Sequence, residues 1–129
     1  MSVQAVLQAA LVEALAGLEV TAVFDAPPVR AARPYALVEE AWLTDWSTKD
    51  MAGREGRFAI VLFDAGERPT RLRSLAGEAE AAIEAMPRRL GQGWAIASLV
   101  LLRARISREG ESRWQSVSEF RVRMLRSEL

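Results

Sequence analysis

The chain contains no cysteine and no histidine. The first absence excludes disulfides, thiolate metal sites and cysteine nucleophiles. The second removes the commonest general base, the commonest metal ligand and the usual switch near neutral pH. There is a single tyrosine, Tyr35, and a single lysine, Lys49, in a chain of 129 residues whose other cations are all arginine. An active site would therefore have to run on carboxylates, arginine, hydroxyls and these two side chains. No apolar run approaches the length needed to span a bilayer. The N-terminus has no basic leader, and Gln4, Gln8 and Glu13 interrupt its apolar residues. It therefore reads as a helix rather than a signal peptide, and a protein kept on the cytoplasmic side is expected.

What remains is enough to fold. Half of the residues are apolar and 26% are charged, as in an ordinary soluble domain. At this length one domain, 1–129, is expected, burying roughly two-thirds of its unfolded surface. The formal net charge is zero but unevenly spread. Residues 1–64 carry five basic and nine acidic groups, a balance of −4, and residues 65–129 carry twelve and eight, a balance of +4. Such a division suits one copy's acidic side meeting another's basic side, or simply a mixed solvated surface.

Val3, Leu7, Ala10, Leu11, Ala14, Leu15 and Leu18 recur at steps of three and four, which predicts an amphipathic helix with Ser2 as N-cap and Gly17 near its end. Val20 to Phe24 reads as a short strand stopped by Pro27 and Pro28. A second strand runs from Tyr35 through Leu37, Val38, Ala41 and Leu43, with Glu39 and Glu40 on opposite faces. The apolar run Phe58 to Phe63 predicts a central strand buried on both sides. Pro69 opens a second helix through Leu72, Leu75, Ala79, Ala82, Ile83 and Met86, ending near Pro87. Gly77 inside it implies a close approach of helix backbone to sheet.

The last third predicts a hairpin, Trp94 to Ser107 and Ser112 to Leu125, turning at Glu109-Gly110-Glu111. Alternation puts Val100, Leu102, Ala104 and Ile106 on one face of the first strand and Arg103 and Arg105 on the other. In the second strand Phe120, Val122 and Met124 oppose Arg121 and Arg123. The expected fold is α+β, in the order α-β-β-β-α-β-β. A mostly antiparallel sheet of about five strands would carry both helices on one face.

Catalytic and metal motifs are missing. Glu39, Glu40, Asp45 and Asp50 lack a metal-ligand spacing, and adjacent strand carboxylates point apart. Ser47-Thr48-Lys49 lacks the glycines of a phosphate-binding loop, and Gly91-Gln92-Gly93 leads into a strand rather than a helix. No Gly-x-Ser-x-Gly elbow is present. The candidates that remain are surfaces. The arginine face of the hairpin suits protein–protein pairing, plain solvation, or contact with nucleic-acid phosphates. A neutral chain whose arginines are not interleaved with aromatics fits the last less well.

A polar stretch between the second and third strands, Asp45-Trp46-Ser47-Thr48-Lys49-Asp50-Met51-Ala52-Gly53-Arg54-Glu55, reads as a loop too long for a tight turn. Trp46 there either folds back over the sheet edge or anchors an interface.

This stretch also carries a resemblance. With Gly53-Arg54-Glu55, the Asp-Trp-Ser-x-Lys-Asp segment resembles the phage tail-terminator, or tail-completion, family, particularly the version encoded by gene transfer agents of alphaproteobacteria. Val23-Phe24-Asp25-Ala26-Pro27-Pro28, Pro34-Tyr35, Ala97-Ser98-Leu99 leading to Arg103 and Arg105, and Phe120-Arg121-Val122-Arg123-Met124 extend it nearly end to end. Proteins of that family are similar to the lambda tail terminator.

The resemblance implies a non-enzymatic α+β protein without cofactor or metal. It would form a homohexameric ring that caps the tail-tube protein, stops its polymerisation and docks the head–neck connector. DNA would pass through the ring without sequence-specific binding, and no membrane would be involved. The ring would be assembled in the bacterial cytoplasm and reside at the head-proximal end of the tail of a virion or gene-transfer-agent particle. Asp45, Trp46, Lys49, Asp50, Arg54, Glu55, Arg103, Arg105, Arg121 and Arg123 are the expected subunit or tube contacts. A head-closure protein on the connector side, or an arginine-dependent nucleic-acid-binding accessory protein, are the alternative readings.

Overall fold

The computed structural model describes residues 1–127. Its elements are α1 (Val3–Ala14), β1 (Val23–Phe24), β2 (Tyr35–Val38), β3 (Trp42–Asp45), β4 (Ala52–Ala65), α2 (Thr70–Glu84), β5 (Trp94–Gly110) and β6 (Arg113–Arg126). One sheet runs β1-β2-β4-β6-β5, with β3 pairing β4 beyond the end of β2. Only the β1–β2 pair is parallel. The class is α+β, as expected, with six strands rather than five.

The extra strand comes from a break. β2 and β3 lie end to end along the same side of β4, and their register slips by one residue across Glu39-Glu40-Ala41. This is a bulge; both glutamates are exposed, Glu39 level with Ala59 on the helix-free side and Glu40 toward α1, where its carboxylate accepts from Gln4 Nε2, so they point to opposite faces as expected. Helix α1 holds it. Gln4 Nε2 donates to the Ala41 carbonyl at 2.9 Å, and Ala41 N donates to Oε1 of the buried Gln8 at 3.3 Å. Two glutamines four apart on one helix face thus satisfy the backbone that the bulge leaves unpaired.

Ser2 caps α1 by accepting from Ala5 N. Val6, Leu7, Leu11 and Leu15 of the N-terminal segment join Leu72, Leu75, Ala79 and Ile83 of α2 in one core against Ile60, Leu62, Phe120, Val122 and Met124. Phe58 and Phe120 stack at 5.1 Å within it. Both helices therefore cover the same side of the sheet, and the other side carries none. Gly77 does not mark a close approach: a Cβ built there would meet nothing within 4 Å.

β5 departs furthest from simple alternation. Register shifts between Ile96 and Ser98, between Leu101 and Arg103, and between Arg108 and Gly110 each move the side-chain phase. Leu99 and Leu101 turn inward against the core, while Val100 and Leu102 are 40% and 37% exposed. A strict period of two had predicted the reverse. The hairpin turn falls at Glu111-Ser112, with Ser112 at φ +54, so β5 extends through Gly110.

Candidate interaction surface

Partners across antiparallel strands share a face, so the register assigns the helix-free side directly. Opposite one another lie Trp42 and Arg57, Arg57 and Arg121, and Arg121 and Val100. One row on from these, Ala59, Glu119 and Arg103 align. On the other side of the row, Thr44, Glu55, Arg123 and Ser98 do so. Arg105 stands opposite Val117. All four expected hairpin arginines thus occupy the open face.

This patch holds more cation than it can pair. Glu119 is shared by Arg57 at 3.3 Å and Arg103 at 3.6 Å, and Glu55 accepts from Arg123 Nε. Among the described residues, Arg105 and Arg121 have no carboxylate partner. Arg121 is half-buried beside a like charge, and its Nε is buried without a hydrogen-bond partner. Like charges directly opposite in a sheet oppose folding, and an unsatisfied buried donor adds to that cost. Next to this excess, the Trp42 indole is 71% exposed.

The stretch from Asp45 to Glu55 is only partly a loop. Asp45 ends β3, and Ala52 through Glu55 begin β4. Between them the hairpin closes tightly. Trp46 N donates to the Gly53 carbonyl and Thr48 N to the Met51 carbonyl, leaving Lys49 and Asp50 at the tip. Met51 N and Asp50 N donate to Thr48 Oγ1, and Gly53 N donates to Ser47 Oγ. The serine and threonine replace missing backbone partners. Gly53 is required because a Cβ there would lie 2.4 Å from the Trp46 carbonyl oxygen.

Trp46 is half-buried, and the Arg123 guanidinium sits 5.4 Å from its ring centroid. The structure so brings together Trp46, Glu55 and Arg123, which the sequence suggested only as separate contacts. Asp45 and Arg54 pair at 3.8 Å on the opposite, helix-bearing side, and Lys49 and Asp50 are exposed. Trp42 was missed: it lies between Ala41 and Leu43 of the expected second strand and was not singled out. Aromatics do meet arginines, but through space. Arg108 covers Trp114 and Arg126 covers Trp94, at 5.7 and 6.0 Å. These contacts cover rings rather than offer them for stacking.

The carboxylates do not converge. Among the described residues no group of three or more acidic side chains is placed to hold a metal ion. Asp64, almost fully buried, is committed to structure: Arg71 binds both its oxygens and Ala65 N donates to Oδ1. Burial pushes its pKa up. The Arg71 hydrogen bonds, the Ala65 N–H and the charges of Arg71 and Arg33 outweigh that and hold the pKa below the ordinary value. A groove of about 400 Å³ between α1 and residues 86–92 is lined mainly by Val6, Ala9, Ala10, Met86 and Leu90, with only Glu13 and Arg89 charged. Neither place assembles a nucleophile with a base.

Residues 2–125 match the family described as Tail completion protein gp17. The chain belongs to that family. A solved chain from the "Virion of native gene transfer agent (GTA) particle" shares its fold with a TM-score of 0.74 and 27% identity, over 96% of this chain and 98% of that one. No curated protein sequence matches it. This tail completion protein is accordingly a structural component of a phage-like or gene-transfer-agent particle, located in its tail.

Proposed function

We propose that residues 1–129 form a single tail-terminator domain that acts by assembly rather than catalysis. Copies close into a homohexameric ring on the last ring of tail-tube protein and stop its polymerisation. The other side of the ring meets the head–neck connector, and DNA passes through the opening. The observation that carries this reading is the helix-free sheet face. In a member of the tail-completion family, among the described residues, that face gathers Arg57, Arg103, Arg105, Arg121 and Arg123 around the fewer carboxylates Glu39, Glu55 and Glu119. The half-buried Arg121, with its Nε unsatisfied, costs the isolated chain stability, and a partner supplying carboxylates to it and to Arg105 beside the exposed Trp42 offsets that cost.

The test mixes the purified chain with tail-tube protein and examines tube lengths and ends by electron microscopy. Short tubes with a ring at one end are expected. Tubes that grow unchecked, with no ring at any protein concentration, refute the proposal. The unpaired guanidinium groups also favour a second reading, direct contact with DNA phosphates. That reading requires binding that falls steeply with salt, and a gel shift negative at low salt removes it.

A further inference from the structure

The sheet has two open edges. β3 pairs only with β4, and β1 covers β2 but not β3. On the far side β5 pairs only with β6. The start of β5 is shielded, because Ile96 N donates to the Arg88 carbonyl and Leu90 N to the Trp94 carbonyl. From Ala97 onward its outer backbone groups face no strand. Long open edges are places where another strand adds.

The two edges match in three ways. Among the described residues the exposed large apolar side chains are Met1, Val29, Trp42, Val100 and Leu102. The last three sit on these edges, Trp42 on one and Val100 and Leu102 on the other. The charges are opposite: Glu39 and Glu40 precede β3 and Asp45 ends it, while Arg103 and Arg105 lie on β5. Trp42 and Val100 also end the same cross-strand row, Trp42–Arg57–Arg121–Val100.

Strand direction agrees as well. β3 is antiparallel to β4, β4 to β6 and β6 to β5, so β3 runs antiparallel to β5. A rotation about an axis roughly parallel to the strands keeps those directions from one copy to the next, and under it the two edges meet as an antiparallel pair.

We infer that copies of this chain join head to tail by strand addition, the β5 edge of one receiving β3 of the next. Trp42 of the incoming copy then lies beside Val100, and its Glu39 and Glu40 come level with Leu102 and Arg103. Each copy presents a different surface to each neighbour, which is the heterologous contact that closes a ring or extends a filament. This inference rests on the ring proposed above and specifies its contact.

The absence of cysteine makes the test direct. The full-length double variant Trp42→Cys, Val100→Cys is oxidised alone at high concentration and again with tail-tube protein. Each single variant serves as control, and non-reducing gels are read beside electron micrographs. Ladders of disulfide-linked multimers from the double variant, absent from both single variants, are expected, because directly opposed strand residues lie within disulfide reach. As a second arm, Glu39→Arg should raise the concentration needed for half-assembly about tenfold or more. Arg103→Glu in the same chain should recover most of that loss. Rings without the specific ladder and without charge rescue overturn the edge pairing and leave the ring standing. No assembly of the wild-type chain with or without tube overturns both.

Discussion

Arg123 lies over the indole of Trp46 while its Nε donates to Glu55, so a residue of β6 clamps the root of the β3–β4 hairpin. The tryptophan is therefore partly committed within its own chain. Trp46→Ala should retain the fold by circular dichroism but lose about 1–2 kcal/mol in urea unfolding, the worth of a partly desolvated cation–π contact plus lost packing. Lys49→Glu, at the exposed tip, should change stability by less than about 0.5 kcal/mol. If Lys49→Glu nevertheless abolishes tube capping, the tip is a contact and the indole its support.

Two glycines should respond in opposite directions. At Gly56 a Cβ would fall 1.7 Å from the Trp42 carbonyl oxygen, inside the backbone of β3. Gly56→Ala should displace β3 and cost more than about 3 kcal/mol, by overpacking that no rotamer relieves. Gly77→Ala, in open space on α2, should raise stability by about 1 kcal/mol. Paired thermal melts decide both, and a tolerated Gly56→Ala would contradict the close approach of β3 to β4.

Arg121 offers a case in which stability and assembly oppose one another. Arg121→Met keeps the aliphatic stem and removes a charge that faces Arg57 with its Nε unsatisfied. The variant should be more stable by about 1 kcal/mol and less able to assemble. Denaturation midpoints read beside capping efficiency test this. A variant that loses both would make Arg121 an ordinary structural residue.

Asp64 ties stability to acid. Its folded carboxyl ionises more readily than in the unfolded chain, so its contribution is complete above about pH 4. It is lost as the pH falls through the lower folded value. Asp64→Asn should therefore differ from wild type at pH 7 and converge on it toward pH 2. Urea midpoints across that range that stay parallel would exclude Asp64 as the source of the acid sensitivity.

Both helices, the Ser2 cap, the inward set Phe120, Val122 and Met124, and the outward arginines were legible because each follows a single local period. The failures share a cause. Bulges at Glu39–Ala41 and along β5 shift the phase by one residue, which strict alternation cannot register, so Val100 and Leu102 were placed inside and Trp42 went unnoticed. The Asp45–Glu55 stretch looked like a loop because a glycine and several charges disguise strand residues. Gly53 and Gly56 are there to admit a neighbouring backbone, a reason visible only once β3 is in place. Clustering was not legible at all: nothing local says that Arg57 and Arg121, or Trp46 and Arg123, come together.

From Leu102 to Arg105, and again from Arg108 to Gly110, β5 is exposed. α2, with 15 residues, extends only about 22 Å, whereas the 17 residues of β5 extend about 55 Å. α2 lies beside Ala104, Arg105 and Ile106, and past them the strand runs on to Gly110 as a cantilever, braced along one side by β6. Ladder hydrogen bonds lie across the strands, so a pull along β5 loads many of them together in shear, while a sideways pull would peel them one at a time. The overhang is stiff against axial load and weak against lateral load.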